Sequence, residues 1–429
     1  MNQTQIETQY KNSIFVKIFA FFFAAFSLSG RWSLDRVFLT TPVVEKSLGL
    51  ETFLEVRVLL FIGMIMSMVP LIHFWKTSMI YGKANSEYSM TNRSEKTYIS
   101  NVFILQLFLL TYFIMTAFWM FYTDEMFYKA FELIILIVYL CITYRICQLP
   151  NVMILVKIIW KYFFVIATIL MVISIPSLFA IDTTTERASV LGGGANVFIR
   201  FIAICLIQTA YSIIRGGNVS SLLLLPFLFA GMIISGSRGG MVSIFVAMFA
   251  FMIFQRLITL RMFTRTIGIG IASIAIVVVA LIAMPTLYDN IRGAAERRIE
   301  KYTLEDLASS GREDVYPLAW RNSWDKPFFG HGIGGWIYYE SDDFTYPHNH
   351  ELELFYEGGL VAVVMFMIIL FLVCRRILYL HQYRLLFVPV ATCLVFIFFA
   401  VQFSSDFFGT RYMYSMMLLA GLANNNTDQ

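Results

Sequence analysis

Residues 311–362 of the chain read GREDVYPLAWRNSWDKPFFGHGIGGWIYYESDDFTYPHNHELELFYEGGLVA, and strongly hydrophobic sequence lies on both sides of the loop that contains them. Up to Pro347 the stretch is polar and rich in glycine and aromatic residues, and at His348-Asn349 a new hydrophobic run begins. This pattern predicts a long hydrophilic loop beside one membrane face, followed by a membrane helix. Because the loop places arginine and histidine next to a helix start, we expect the chemistry of the protein to take place there.

The composition is that of a membrane protein. The chain has 429 residues, of which 59% are hydrophobic and 14% are charged, whereas a soluble domain carries about 25% charged residues. Its apolar runs have the length of about 20 residues that a helix needs to cross a bilayer. We therefore predict an all-α polytopic membrane protein that forms a single transmembrane domain, residues 1–429. The net charge of +4 is small, and no nucleic-acid partner is predicted.

Hydrophobicity predicts about twelve transmembrane helices. The candidate spans cover residues 14–28, 58–75, 102–122, 127–144, 163–180, 197–214, 222–234, 241–254, 267–284, 351–373, 385–403 and 412–422. The seventh, eighth and twelfth spans are short, so their ends are the least well defined.

Lysine and arginine in the short loops predict the orientation, because cytoplasmic loops are enriched in both. The loops after the second, fourth, sixth, eighth and tenth spans all lie on one side if the spans alternate. Their basic residues are Lys76, Lys83, Arg93, Lys96, Arg145, Lys157, Lys161, Arg215, Arg256, Arg261, Arg265, Arg375, Arg376 and Arg384. We therefore predict that both termini are cytoplasmic and that the long loop, residues 285–347, is external. Four basic residues in the 29–57 loop oppose this rule locally.

The long loop opens with a predicted amphipathic helix at about residues 288–307. Ile291, Ala295, Ile299 and Tyr302 recur at helical spacing, and charged residues fill the other face. Such a helix suits the bilayer surface or the cover of a cavity. Its charges are more typical of a solvated face than of a site.

A glycine-rich turn at Ser237-Arg238-Gly239-Gly240 separates two spans at the external surface. Glycine allows the backbone to approach a ligand closely, and the planar guanidinium of Arg238 can bind a phosphate group through two hydrogen bonds. The alternative is an arginine that only extends to the membrane interface. Arg312 and Arg321 are further candidates for binding an anion.

Three tryptophans accompany these arginines in the loop: Trp320, Trp324 and Trp336. Aromatic rings on a loop can stack against the C–H faces of sugar rings. The alternative is a belt of aromatic residues at the membrane interface. The sequence leaves both interpretations open.

Pro347-His348-Asn349-His350 marks the start of the tenth span. Asn349 is a good N-cap residue, and the helix dipole beside His348 favours a neutral imidazole that can accept a proton. The alternative is an ordinary interfacial histidine. The spacing of His348 and His350 does not favour a metal site. Glu357 lies about two turns into the span, where a carboxylate is costly unless it is paired.

Two more arginines lie near the external ends of spans. Arg200 is one turn inside the sixth span, and Arg411 begins the twelfth. Both could line a central anionic site. Both could equally pair at the interface with Asp182, Glu186 or Asp406.

The chain resembles the family of O-antigen ligases and O-antigen polymerases, which are bacterial inner-membrane glycosyltransferases. The resemblance lies in the Ser237-Arg238-Gly239 turn, in Gly311-Arg312 followed by tryptophan and Pro327-Phe328-Phe329-Gly330-His331-Gly332, and in His348-Asn349…Leu352…Glu357-Gly358-Gly359. Order and spacing agree over about residues 195–422. The glycine usual in the family three residues after Gly359 is Ala362 here.

The resemblance implies a GT-C-like fold of twelve helices and a donor glycan on undecaprenyl pyrophosphate, used at the periplasmic face. It implies inversion at the anomeric carbon without a metal or cofactor. It assigns pyrophosphate binding to Arg238 and Arg312, and it assigns the general base for the acceptor hydroxyl to His348. A periplasmic lipid-linked donor is consistent with the absence of a nucleotide-binding motif from the sequence.

Two reactions fit this family. A polymerase transfers the growing chain to the next lipid-linked repeat unit, and a ligase transfers the polymer to lipid A-core. The His-Asn…Glu-Gly-Gly stretch resembles polymerase versions, so we favour polymerisation, with a chain-length regulator as a possible partner. A transporter of lipid-linked oligosaccharides is the alternative of another class. Transporters commonly show repeat symmetry and ionisable residues at mid-membrane, whereas the ionisable residues here cluster at the external ends.

Overall fold

The structure is a computed structural model that describes residues 3–29, 56–82, 93–119, 124–149, 152–180, 194–214, 224–235, 237–255, 312–336, 346–382, 388–403 and 408–422. Within these ranges the regular elements are helices, and no strand occurs. The predicted span 267–284 and the predicted amphipathic helix 288–307 lie outside the described residues.

Thirteen α-helices follow one another in the described ranges. They are α1 (Gln3–Asn12), α2 (Ile14–Leu28), α3 (Val56–Gly82), α4 (Arg93–Met115), α5 (Asp124–Cys147), α6 (Val152–Ala180), α7 (Gly194–Ile214), α8 (Leu225–Ser235), α9 (Arg238–Phe254), α10 (Arg312–Ser323), α11 (His350–Gln382), α12 (Val388–Ala400) and α13 (Arg411–Leu419). Short 3-10 helices, Thr116–Trp119 and Phe408–Thr410, extend α4 and precede α13.

Six of these helices, α3 to α7 and α11, are long and apolar enough to cross a membrane, and three shorter apolar helices are α2, α9 and α12. The chain is therefore an α-helical multi-pass membrane protein. The count of twelve spans and the GT-C-like arrangement remain predictions. On α3, the exposed residues Leu59, Ile62, Met66 and Val69 form one apolar stripe. In a membrane helix, such a stripe faces lipid.

Two compact units divide the chain. The first contains residues 1–90 and 150–298, and the second contains residues 91–149 and 299–429. In the first unit, α2 packs against α3 and α6, while α7 packs against α6, α8 and α9. In the second unit, α11 packs against α4 and α10, and α13 packs against α4, α5 and α12. Every residue of α13 is buried, so α13 forms the centre of the second unit.

Two differences from the predicted elements have a physical reason. Helix α6 begins at Val152, not at residue 163, and it therefore contains Lys157 and Lys161, which the sequence places in a loop. The stretch from Val152 to residue 162 is itself apolar apart from these two lysines, and lysine does not end a helix because it is a good helix former. Helix α10 was not predicted, because Pro317 within it and its polar composition are typical of a loop.

Candidate functional site

Helix α11 is interrupted at Gly359, whose φ of 66° and ψ of −168° are not helical. The interruption separates a short first part, residues 350–358, from a long second part that continues to Gln382. A helix break leaves backbone N–H and C=O groups without helical partners, so other groups must satisfy them. The 350–358 segment is therefore a distinct element at the start of a membrane helix.

The loop residues 327–332 supply these partners on both sides of the break. Their carbonyl groups accept from the first N–H groups after the break, and their N–H groups donate to the last carbonyls before it. The four bonds are Leu360 N–H to Pro327 O (2.7 Å), Val361 N–H to Phe328 O (3.3 Å), His331 N–H to Tyr356 O (2.8 Å) and Gly332 N–H to Glu357 O (2.9 Å). We call residues 327–332 the inserted loop. Tyr112 of α4 adds a hydroxyl bond to the Gly358 carbonyl at 2.7 Å.

Asn349 caps α11, as the sequence predicts. Its Oδ1 accepts from the N–H of Leu352 at 3.0 Å, and its Nδ2 donates to the carbonyl of Gln402 at 3.2 Å. The N–H of His350 donates to the carbonyl of Val401 at 3.3 Å. Val401 and Gln402 lie in the turn after α12, so this turn fixes the N-terminal end of the 350–358 segment.

His348 precedes this cap in an uncommon backbone conformation. Its φ is 58°, and no other residue except glycine has a positive φ in the described ranges. Such a conformation costs about 1–2 kcal/mol, and strained residues of this kind cluster at functional sites. The half-buried His348 ring lies 4.2 Å from the ring of Tyr346. The Tyr316 hydroxyl of α10 donates to the His348 carbonyl at 3.4 Å. These contacts surround a histidine at the positive end of a helix dipole.

A buried ion-pair cluster holds the same segment from another helix. Nζ of Lys129, in α5, lies 3.0 Å from Oε1 of Glu353 and 2.6 Å from Oε1 of Glu357. The side chains of Lys129, Glu353 and Glu357 are 13%, 0% and 2% exposed. Glu357 is thus paired, as its predicted position in the membrane requires. The sequence places Glu353 near Glu357 at the same membrane end, but sequence reasoning did not identify Lys129 as their partner.

Two further polar contacts link the segment to α13 and to the turn after α12. Nε2 of His350 lies 3.2 Å from the hydroxyl of Tyr414, and both side chains are buried. Nε2 of Gln402 donates to Oε1 of Glu351 at 2.6 Å. His350, Glu353 and Glu357 recur at helical spacing, so one face of the segment carries all three. The sequence shows this polar stripe but not its partners.

The three tryptophans have two different environments. Trp320 and Trp324 are both about half exposed, and each contacts the ring of Phe355, at 5.6 and 5.3 Å. They form an aromatic surface at the C-terminal end of α10. Trp336 is only 1% exposed, and it packs in a core cluster with Val315, Ala319 and Tyr356. Only Trp320 and Trp324 present ring surface to the outside.

Arg238 is exposed and begins α9 in the first unit. The preceding Ser237 is the N-cap, because its Oγ accepts from the N–H of Gly240 at 3.2 Å. The Ser237 hydroxyl in turn donates to Oδ1 of Asn196 at 2.6 Å. A Cβ on Gly240 would lie 2.5 Å from a methyl group of Ile199, so glycine permits close packing against α7. The cap and the packing against α7 therefore fix the start of α9, where Arg238 is the first residue.

The remaining arginine candidates lie in different surroundings. Arg200 is half-buried in α7 of the first unit. In the second unit, Arg312 is the first residue of α10, Arg321 is exposed in its last turn, and Arg411 is buried at the start of α13. Residues 348, 349 and 357 thus lie at the start of α11 in the second unit, whereas Arg238 and Arg200 belong to the first unit. No group of three His, Cys, Asp or Glu side chains in the described ranges could hold a metal ion.

Residues 222–367 match the protein family described as O-antigen ligase. The matched range extends into α11 and includes Arg238, Arg312, the inserted loop and the His348-Asn349 helix start. The match confirms the resemblance to the O-antigen ligase and polymerase family. No curated protein and no solved structure matches the chain.

Proposed function

We propose that this chain, which carries a domain of the O-antigen ligase family at residues 222–367, is a glycosyltransferase of the bacterial inner membrane. It moves a glycan from undecaprenyl pyrophosphate to an acceptor hydroxyl at the periplasmic face. The proposal includes cytoplasmic termini, twelve spans and a GT-C-like arrangement. The observation that carries it is the position of His348, within the matched range, in a strained conformation at the N-terminus of α11.

His348 is the proposed general base. A sugar hydroxyl is a poor nucleophile at neutral pH, and its oxygen becomes positively charged as it attacks the anomeric carbon. The imidazole takes the hydroxyl proton while the new bond between the acceptor oxygen and the anomeric carbon forms. The bond between that carbon and the pyrophosphate oxygen breaks, and the lipid pyrophosphate leaves with the electron pair. Attack from the opposite face inverts the anomeric carbon, and this reaction needs no metal or cofactor.

Arg238 and Arg312 are the proposed ligands of the donor pyrophosphate. A guanidinium keeps its charge and offers paired donors that match two phosphate oxygens. These charges favour the leaving group more strongly as the glycosidic bond breaks, and such an interaction accelerates the reaction. The exposed position of Arg238 beside a capped helix start supports this role.

Five other residues have proposed supporting roles. Asn349 fixes the turn that carries His348, and Glu357 fixes the segment behind it, in agreement with their contacts. Arg200, Arg321 and Arg411 add positive charge near the anionic donor. Among the tryptophans, the exposed rings of Trp320 and Trp324 are the better candidates for stacking on the glycan. Trp336 is buried in a core cluster with Val315, Ala319 and Tyr356, so it is the weaker candidate for contact with the glycan.

We favour a polymerase that joins lipid-linked repeat units, because the helix start at His348 resembles polymerase versions. The ligase reaction, onto lipid A-core, is the second candidate, and the description of the matched family favours it. The two reactions share the donor, the base and the arginines. They differ in the acceptor, and the chain-length regulator is a proposed partner of the polymerase only.

The glycan profile of a deletion strain distinguishes the two reactions. Loss of a polymerase leaves lipopolysaccharide with a single repeat unit on its core. Loss of a ligase leaves bare core, while lipid-linked polymer accumulates. A normal ladder of polymer on the core would contradict both reactions.

A further inference from the structure

The 350–358 segment is not oriented by the membrane helix that follows it. Gly359 has φ and ψ values outside the helical region, so the helical hydrogen bonds do not continue from one part of α11 to the other. The direction of the segment must come from its contacts with other elements. This matters for the reaction because His348 lies at the N-terminal end of the segment.

Among the described residues, backbone hydrogen bonds from other elements reach the two ends of the segment. The inserted loop binds the carbonyls at the C-terminal end, and the turn at Val401 and Gln402 binds Asn349 and His350 at the N-terminal end. Between the ends, the strongest polar contact comes from Lys129. Its ammonium group reaches both Glu353 and Glu357, which lie one turn apart on the same face.

The charges explain why Lys129 binds both Glu353 and Glu357. Two carboxylates four residues apart repel each other, and both are buried in a membrane protein, where an unpaired charge is costly. One ammonium group between them removes the repulsion and supplies hydrogen bonds to both. Since each carboxylate is at hydrogen-bond distance from the same nitrogen, a rotation or sliding of the segment along α5 weakens at least one of the two bonds.

We propose that Lys129 is a positioning residue for His348. By binding Glu353 and Glu357 together, Lys129 fixes the direction of the 350–358 segment on α5, and thereby the place of the imidazole at the end of that segment. The inference rests on the proposed function for the role of His348. The effect on the segment itself does not depend on that role.

The test combines amide hydrogen exchange with kinetics on the purified full-length protein. In Lys129→Met, exchange across residues 350–358 should become faster, while exchange across residues 360–373 stays as in the wild type. A small displacement of a reacting group lowers turnover about 10²-fold, so kcat should fall by that order. The KM for the lipid-linked donor should not change, because donor binding does not use this cluster. Lys129→Arg should restore both exchange and kcat.

Two further variants separate positioning from folding. Lys129→Met/Glu353→Gln/Glu357→Gln removes all three charges at similar shape, so it should fold well, because replacing a whole buried pair is often neutral for stability. It should still show fast exchange in the segment and low kcat. The matched control is Arg376→Met, which removes a buried cation from the other end of α11 and its bond to the Gly421 carbonyl at 3.0 Å. Its exchange across residues 350–358 should equal that of the wild type.

Each possible result either supports or overturns the positioning role of Lys129. Unchanged segment exchange in a folded Lys129→Met protein, or full turnover of the triple variant, overturns the positioning role. Low turnover with unchanged exchange also overturns it and assigns Lys129 to direct contact with substrate. If the wild type shows no glycan transfer, the proposed function fails. Faster exchange in Lys129→Met would then still show that Lys129 orients the segment.

Discussion

Gly330 and Gly359 approach each other so closely that neither could carry a side chain. A Cβ on Gly359 would lie 2.6 Å from the amide nitrogen of Gly330, and a Cβ on Gly330 would lie 2.6 Å from the nitrogen of Gly358. Both residues have a positive φ, 70° for Gly330 and 66° for Gly359. The inserted loop can enter the helix break because neither Gly330 nor Gly359 carries a side chain that would separate the two backbones.

Replacing either glycine by alanine should therefore destabilise the second unit. The backbone conformation of Gly359 alone is one that only glycine adopts readily, so the loss should be at least about 1–3 kcal/mol. Thermal unfolding of the detergent-solubilised protein measures it. The matched control is Val364→Ala on the same helix, whose side chain is 54% exposed. If Gly359→Ala unfolded at the same temperature as Val364→Ala, the described break would be wrong.

His348→Ala should lose most of its turnover while it keeps its affinity for the lipid-linked donor. A general base typically contributes about 10²–10⁴-fold in rate. His350→Ala should behave differently, because His350 is buried and contacts Tyr414. It should lower the unfolding temperature more than it lowers turnover per folded molecule. Transfer assays and donor binding on the purified variants measure both effects. Wild-type turnover of His348→Ala would remove this residue from the mechanism.

Arg238→Ala and Arg312→Ala should each impair transfer while the protein is still inserted and expressed normally. A charge-assisted contact contributes about 1.5–3 kcal/mol, which corresponds to roughly 10- to 150-fold in rate. Lysine at either position should recover only part of the activity, because a point charge cannot make the paired contact. Arg145→Ala serves as the control, since Arg145 is an exposed arginine at the end of α5 whose side chain contacts Gln148. Normal glycan profiles in both alanine variants would support the interpretation of interfacial arginines.

The orientation can be tested with single cysteines at two exposed positions. Asp325→Cys, in the loop after α10, should react in whole cells with a reagent that cannot cross the inner membrane. Arg375→Cys, near the other end of α11, should react only after lysis. Both variants need a Cys374→Ser background, because the native Cys374 is also exposed. The reverse labelling pattern would place the proposed site on the wrong side for its donor.

The sequence predicts local features of this protein better than long-range ones. The bounds of α2 and the cap at Asn349 follow from hydrophobicity and from N-cap preference, which depend on neighbouring residues only. The partner of Glu357 could not be predicted in the same way, because Lys129 is 228 positions away along the chain. The break at Gly359 was missed for a similar reason. A Gly-Gly pair in an apolar run does not reveal that a loop thirty residues earlier will supply the missing hydrogen bonds.

The inserted loop also has a consequence for the biogenesis of the protein. A ribosome synthesises residues 327–332 before α11, so the groups that will satisfy the break exist before the break itself. Until they meet, the carbonyls of Tyr356 and Glu357 and the amides of Leu360 and Val361 lack these partners, at a cost of several kcal/mol for each group that is exposed to lipid. In the proposed topology the loop is external, so the first part of α11 should complete its hydrogen bonds only after the loop has reached that face. Completion of this helix would then be coupled to translocation of the preceding loop, and a loop retained on the cytoplasmic side would leave the break at Gly359 without these hydrogen-bond partners.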